Sequence, residues 1–245
     1  MLEIKGGTTM KTAIMPHGLH VEAHGWEEIV WGIPPERLGR ATKAIQLAVE
    51  TDASLVIFGT GASKRDGVFE AQCMVNLMWE RFSRLKEFRV FDDYNIDSLR
   101  SLRQIMQEIS VVETRSTNTV TEIQYGFERC VELGIDRVIL TSSPGHLGRC
   151  ELAALKIRGE DYRFKDLRIS GEASDVNFFQ NRSGQIVEAN VTDTAIFEPS
   201  HRGDDPLRDL PPDLQPNWLF PRIFRVTDKP QCLEEIAGVF HCHDS

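Results

Sequence analysis

The chain has 245 residues, 41% of them hydrophobic and 27% charged, with a formal net charge of −9. This is an ordinary globular composition, with enough apolar material for one sizeable core. The acidic surplus argues against general affinity for nucleic acid or anionic membrane, since both need clustered Lys and Arg.

No apolar run approaches the roughly 20 residues of a membrane-spanning helix. The opening MLEIKGGTTMK lacks the apolar core of a secretory signal, so a cytoplasmic protein is expected. Thr12–Met15 (TAIM) reads as a first strand closed by Pro16 and Gly18. Pro34 and Pro35 suit a first helical turn, and Leu38, Ala41, Ile45 and Ala48 recur at helical spacing, which predicts a helix over Glu36–Glu50. Leu55–Phe58 (LVIF) reads as a buried strand broken by Gly59-Thr60-Gly61. From Gly67 to about Arg84, Phe69, Cys73, Leu77 and Met78 form one stripe of a second helix.

A third amphipathic helix is expected over Asp97–Ile109, from Leu99, Leu102, Ile105, Met106 and Ile109. Val111-Val112 is then a short strand. Asn118 or Thr119 caps a helix running to Leu133, and Gly134 ends it. Arg137–Thr141 (RVILT) is the next strand, Leu147–Arg158 the next helix, and Lys165–Ser170 a further strand. Strand–helix alternation at this spacing predicts an α/β fold, a Rossmann-like three-layer sandwich whose mainly parallel sheet is covered on both faces by helices. The core is placed at residues 1–170. Residues 171–245 are read as an extension packed on the same domain, with a turn at 181–184, a late strand at Thr194–Phe197, a Pro/Asp-rich loop and a short helix at 231–240.

In a parallel sheet the strand-to-helix junctions share the carboxyl edge, where ligands bind. Four junctions qualify: His17-Gly18; Gly59 to Lys64, including Gly61 and Ser63; Glu113 to Thr119; and Thr141 to His146. Amides at helix N-termini beside Ser, Thr and Asn side chains make a cradle for an anion or a polar molecule. The Gly59–Ser63 loop lacks the Lys-Ser/Thr pair of a phosphate-binding loop and is only part of a GxGxxG pattern, so a tight turn is the plain alternative. Capping accounts for one residue of Ser116–Thr119, whereas the run of four, with Glu113 and Arg115 ahead of it, exceeds what a cap needs. His146 opens a helix at the sheet edge, with Arg149 within a turn of it to bind a carboxylate or phosphate. A solvated surface His is the plain alternative there.

Metal is not assigned. His17, His20 and His24 have a suggestive spacing, but Pro16, Gly18 and Gly25 favour a loop, and no Cys or Asp completes a ligand set. The tail His241-Cys242-His243 is expected to be disordered. His201 to Asp205 is a solvated loop or a lid over the sheet edge. The five cysteines, Cys73, Cys130, Cys150, Cys232 and Cys242, are too scattered for a disulfide framework or a CxxC zinc site. Three of them fall in predicted helices, where a free Cys is usually a small buried apolar residue.

These junctions carry a family resemblance. The chain resembles the bacterial YdcF/SanA/ElyC-like family through AIMPHG, the Arg-bearing ERLGRATKAIQLA and LVIFGTGAS. Glu70 in DGVFEAQCM, then Glu113 with Ser116-Thr117-Asn118-Thr119-Val120-Thr121-Glu122, and Thr141, Ser142, His146 and Arg149 continue the pattern. The match runs in order over about residues 12–158. It departs where Pro16-His17 stands in place of glycines and where many relatives carry a membrane anchor. The resemblance implies a Rossmann-like fold with a polar pocket at the sheet edge, and no single reaction.

The expectation is an enzyme acting by hydrolysis or group transfer on a small polar, anionic, nucleotide-like or phosphorylated molecule. Glu113, Glu122 and His146 are the catalytic candidates. His17, Gly18, Gly59, Gly61, Ser63, Glu70, Arg115, Ser116, Asn118, Thr119, Thr141, Ser142 and Arg149 are the ligand-binding candidates. The alternatives are a module that senses an adenosyl or nucleotide ligand without turnover, and a structural partner whose polar loops merely cap helices. Sequence identifies no cofactor and no oligomeric state, and no nucleophile with its base.

Overall fold

The computed structural model describes residues 10–23, 25–180 and 186–189. The late strand, the Pro/Asp-rich loop, the 231–240 helix, the turn at 181–184, His24, the His201–Asp205 segment, the His241–His243 tail, Cys232 and Cys242 lie outside the described residues.

The frame is a five-stranded parallel sheet of β1 (Thr12–Pro16), β4 (Leu55–Gly59), β7 (Ser110–Glu113), β8 (Arg137–Ser142) and β9 (Arg168–Ala173). Their order across the sheet is β7-β4-β1-β8-β9. Side chains alternate between the faces, as strand geometry requires. Ile14, Val56, Phe58 and Ile139 enter one core, while Ala13, Met15, Leu55, Ile57, Val138 and Leu140 enter the other. On the first face lie α1 (Trp26–Trp31), α2 (Arg40–Glu50), α3 (Glu70–Arg81) and α4 (Ile96–Ile109). The second face is covered by α5 (Thr119–Glu132) and α6 (Pro144–Glu160). The chain is therefore a Rossmann-like α/β sandwich. Each large apolar side chain that its two cores remove from water contributes roughly 1.5–3 kcal/mol.

Several boundaries differ from the sequence reading for tertiary reasons. Residues 36–39 do not join a helix. Instead β2 (Gly32–Ile33) and β3 (Arg37–Leu38) pair antiparallel around Pro34-Pro35. Asp175 holds β3 extended, because its carboxylate accepts from Leu38 N at 2.9 Å and its own amide donates to Leu38 O at 2.8 Å. The second predicted helix begins later, at Glu70. Before it, β5 (Lys64–Arg65) and β6 (Val68–Phe69) form a hairpin. Its turn, Asp66-Gly67, takes φ of 52° and 79°, the left-handed pair that suits a two-residue hairpin.

Helix α6 begins at Pro144, with proline in its first turn, and so takes in His146. The expected strand at Lys165–Ser170 is shifted to β9, because Tyr162–Phe164 first makes a 3-10 turn. Beyond β9, β10 (Asn177–Gln180) pairs antiparallel with β11 (Ile186–Ala189). Asn118 is the cap of α5, with its side chain accepting from Thr121 N at 2.9 Å. Among the described residues no helix is long and apolar enough to cross a membrane.

Candidate functional site

Strand order reverses between β1 and β8, since the chain steps from β1 to β4 and β7 on one side and from β8 to β9 on the other. The carboxyl edge at such a point leaves a crevice between diverging connections. His17 follows β1 there, and its amide donates to Thr141 O of β8 at 2.9 Å. His17 is completely buried. Its Nδ1 lies 3.2 Å from Glu122 Oε1 in the first turn of α5. Its ring centroid is 6.0 Å from that of His146, in an edge-on arrangement.

His146 is fixed from several sides. Ser142 Oγ is 2.9 Å from its Nδ1. Arg149 Nη2 is 2.9 Å and Thr119 Oγ1 3.3 Å from its Nε2. Ser142 thus meets one ring nitrogen, and Arg149 and Thr119 meet the other. The surface-histidine alternative does not hold, because His146 is only 3% exposed. Cys150, one turn further along α6, brings its Sγ to 3.6 Å from His146 Nε2.

The charges in this cluster are interdependent. Burial alone would push the Cys150 thiol up, but the imidazoles of His146 and His17 outweigh it and hold the thiol down at about 6. The charge on His17 is set by its neighbours. Burial opposes that charge, and the Cys150 thiolate and Glu122 carboxylate overcome it, raising His17 to about 10. Cys150 is thus buried in the second core, as its helical position suggested, with His146 beside its sulfur. Cys130, buried without such neighbours, is pushed up to about 12 by burial alone.

A second group lies towards β4. A Cβ on Gly18 would sit 2.8 Å from Gly59 O and overlap the Glu70 carboxylate, and one on Gly59 would come within 2.6 Å of Glu122 Cδ. Both glycines thus let the loops close around buried acids. Ser63 Oγ donates to the Glu70 carboxylate and accepts from Val21 N at 3.0 Å. Ser116 is fully buried and donates to Thr60 Oγ1 at 2.7 Å, while Gly61 N donates to Ser116 O at 3.0 Å. Thr141 is fully buried, and its hydroxyl has no partner among the described residues.

Glu113, Arg115 and Asn118 serve the loop itself. The Glu113 carboxylate accepts from Arg115 N at 2.6 Å and from Ser116 N at 3.2 Å. The Arg115 side chain is 65% exposed and lies over the Tyr125 ring. With β4 and β1 between them, β7 and β8 are not neighbours, so Glu113 does not face His146; Thr119, further along the loop, does.

Arg40, Thr60 and Cys150 were not among the sequence candidates. Arg40 opens α2 and is completely buried. It donates to His17 O at 3.0 Å, to Gly18 O and to Ser143 Oγ at 3.1 Å, tying the β1 loop to the β8 loop. The available signal was the arginine of ERLGRATKAIQLA that the resemblance singled out. For Cys150 the signal was its spacing of four from His146, which puts both on one helix face. Among the described residues no group of three or more His, Cys, Asp or Glu is placed to hold a metal ion. His17 is buried and His20 exposed, so those two do not converge. No family model, curated protein or solved structure matches this chain.

Proposed function

We propose that the edge between β1 and β8 binds a small polar, anionic molecule, nucleotide-like or phosphorylated, and acts on it by hydrolysis or group transfer. On this reading the chain is a cytoplasmic protein of the YdcF/SanA/ElyC-like kind. One observation carries the proposal: His17, Arg40, Glu122 and His146 are all at most 4% exposed and gather at the one place where this sheet order opens a crevice. Burying ionisable groups is costly, and apolar residues would stabilise the fold equally well. Such groups cluster where chemistry needs them.

On this reading Glu122 and His17, which approach to 3.2 Å, transfer protons, with His146 beside them. Arg149, half-buried at the rim, and the exposed Arg115 supply positive charge for the anionic part of the ligand. Glu113 contributes by fixing the loop that presents Ser116 and Thr119.

The test is a thermal-shift screen with nucleotides, S-adenosyl compounds and phosphorylated metabolites, followed by turnover assays on whatever stabilises. A ligand at a hundred times its Kd adds ~2.7 kcal/mol. Stabilisation with turnover that Glu122→Gln and His146→Ala abolish, ligand response being kept, supports the enzyme. Stabilisation without turnover favours a sensing module, and no stabilisation by any compound overturns the site.

A further inference from the structure

We infer that Ser142 is the nucleophile of this site and His146 its base, for acyl transfer from a carboxylic ester whose far end is anionic. Arg149 releases His146 for that role when it takes up the anion. The inference rests on the site reading above and supplies the nucleophile that the sequence left unassigned. A nucleophile and its base are recognised by hydrogen-bond contact, with a third group orienting the base. Ser142 Oγ stands 2.9 Å from His146 Nδ1, within that reach, and Thr119 Oγ1 lies 3.3 Å from Nε2 as the third group.

The hydroxyl is distinguished from its neighbours at the edge. Ser116 donates to Thr60 Oγ1, Ser63 donates to the Glu70 carboxylate, and Ser143 Oγ accepts from Arg40 Nε. Ser142 ends β8 and meets an imidazole instead. His146 follows four residues later in the first turn of α6, so a strand end and a helix start hold the pair together.

Arg149 supplies the control. Its Nη2 is 2.9 Å from His146 Nε2, while its buried Nε has no hydrogen-bond partner among the described residues. The guanidinium therefore has a donor to spare for a ligand. When His146 accepts the serine proton at Nδ1, its Nε2 already carries a proton and donates to Thr119. A guanidinium has donors only, so Arg149 does not bond to Nε2 in that form. An anion that engages Arg149 draws it off the ring and leaves Nε2 to Thr119. Ser142 has no exposed surface, and the same withdrawal loosens the bridge Thr119–His146–Arg149 beside it. Ser142 and Arg149 meet different nitrogens of one ring, so the imidazole separates the reacting atom from the anion. An ester carbonyl with a separate anionic end matches that spacing; a phosphoryl group that is both anion and reacting centre does not.

In the first step His146 Nδ1 takes the Ser142 proton as Oγ adds to the carbonyl carbon, forming the C–O bond and sending the π pair to oxygen. Collapse restores the carbonyl and breaks the ester bond, and the leaving alkoxide takes the proton from Nδ1. Water then loses a proton to Nδ1 as its oxygen attacks the acyl-serine. The second collapse expels the Ser142 oxygen, which recovers that proton, and releases the carboxylic acid.

The experiment uses the full chain and an alkyl fluorophosphonate as probe. One phosphonyl adduct is expected on Ser142 by peptide mass spectrometry, and none on Cys150. Because the wild-type peptide map does not depend on any variant folding, absence of the adduct from Ser142, or its presence on Cys150 instead, overturns the inference. Turnover is followed on p-nitrophenyl acetate and on mono-p-nitrophenyl adipate, which carries a carboxylate at its far end. The adipate ester should have the higher kcat/KM by more than about tenfold. Arg149→Ala should abolish that preference, and Ser142→Ala should abolish both activities. A preference kept in Arg149→Ala, or turnover kept in Ser142→Ala, counts against the assignment in the same way. Thermal shift of the wild-type protein with anionic ligands is measured alongside. Stabilisation without an adduct removes this inference and leaves the site reading standing, whereas neither stabilisation nor adduct removes both.

Discussion

The Glu122 carboxylate approaches His17 Nδ1 to 3.2 Å, with the two side chains 5% and 0% exposed. A pair this deeply buried is weak evidence for net stability, yet removing one partner leaves the other charge uncompensated. Glu122→Ala should therefore destabilise the fold by about 3–5 kcal/mol in chemical denaturation. Glu122→Gln, which keeps the shape, should cost less. A cost below ~1 kcal/mol for the alanine variant would mean that His17 sheds its charge when Glu122 is lost.

The same pair sets a pH dependence. The folded-state value of His17 lies above its ordinary 6.5, at about 10, burial opposing and the Cys150 thiolate and Glu122 favouring the cation. A group raised in this way stabilises fully below its unfolded value, and the contribution is lost as pH rises through the folded one. Wild-type stability should therefore decline as pH climbs through about 10, and His17→Gln should flatten that decline. Equal slopes in urea titrations of the two proteins would count against a charged His17.

Arg40 is the second load on this edge. Its guanidinium satisfies His17 O, Gly18 O and Ser143 Oγ with no surface exposed. Lysine offers a point charge in place of a planar fork. Arg40→Lys should thus cost roughly 2–4 kcal/mol and weaken the ligand-induced thermal shift, since it uncouples the β1 and β8 loops.

What was legible in sequence divides along physical lines. TAIM, LVIF and RVILT announce a buried parallel sheet because both of its faces are covered, so each strand reads as a continuous apolar run. The Ser, Thr and His residues at the junctions pointed to the carboxyl edge, and Thr119, Ser142, His146 and Arg149 do meet there. Arg40 was opaque because its role depends on partners distant in the chain. Ser143 is 103 residues from Arg40, and the Asp175 that keeps Leu38 out of a helix is 137 residues away. Glu113 read as a catalytic candidate, yet its oxygens are engaged by Arg115 and Ser116 amides two and three residues on. Local sequence cannot tell a carboxylate that shapes its own loop from one that faces a ligand.

Close backbone approach gives a steric test. The space above Gly18 is filled by Glu70 and the Gly59 carbonyl, and that above Gly59 by Glu122. Gly18→Ala and Gly59→Ala should each destabilise by about 1–3 kcal/mol, as overpacking in a dense interior does. Of the two, Gly59→Ala presses on Glu122 and, under the proposed function, should impair turnover as well as stability. Measuring midpoint and activity together separates these effects.

Glu151 offers the cleanest reading of burial as electrostatics. Most of its surface is removed from water beside Gly171, and burial, then Cys150, then Glu172 raise its carboxyl from 4.5 to about 7. For an acid raised on folding, stability is fully present below the unfolded value and is lost as pH rises through the folded one, because ionisation then occurs in a site that disfavours it. Glu151→Gln mimics the protonated form and cannot ionise. The variant should match the wild type near pH 4.5 and exceed it above about 7. The gain should reach at most about 3 kcal/mol, since each tenfold change in proton affinity is worth ~1.4 kcal/mol. Urea denaturation of both proteins across that range decides it: a constant difference at all pH values would show that Glu151 stays ionised in the fold.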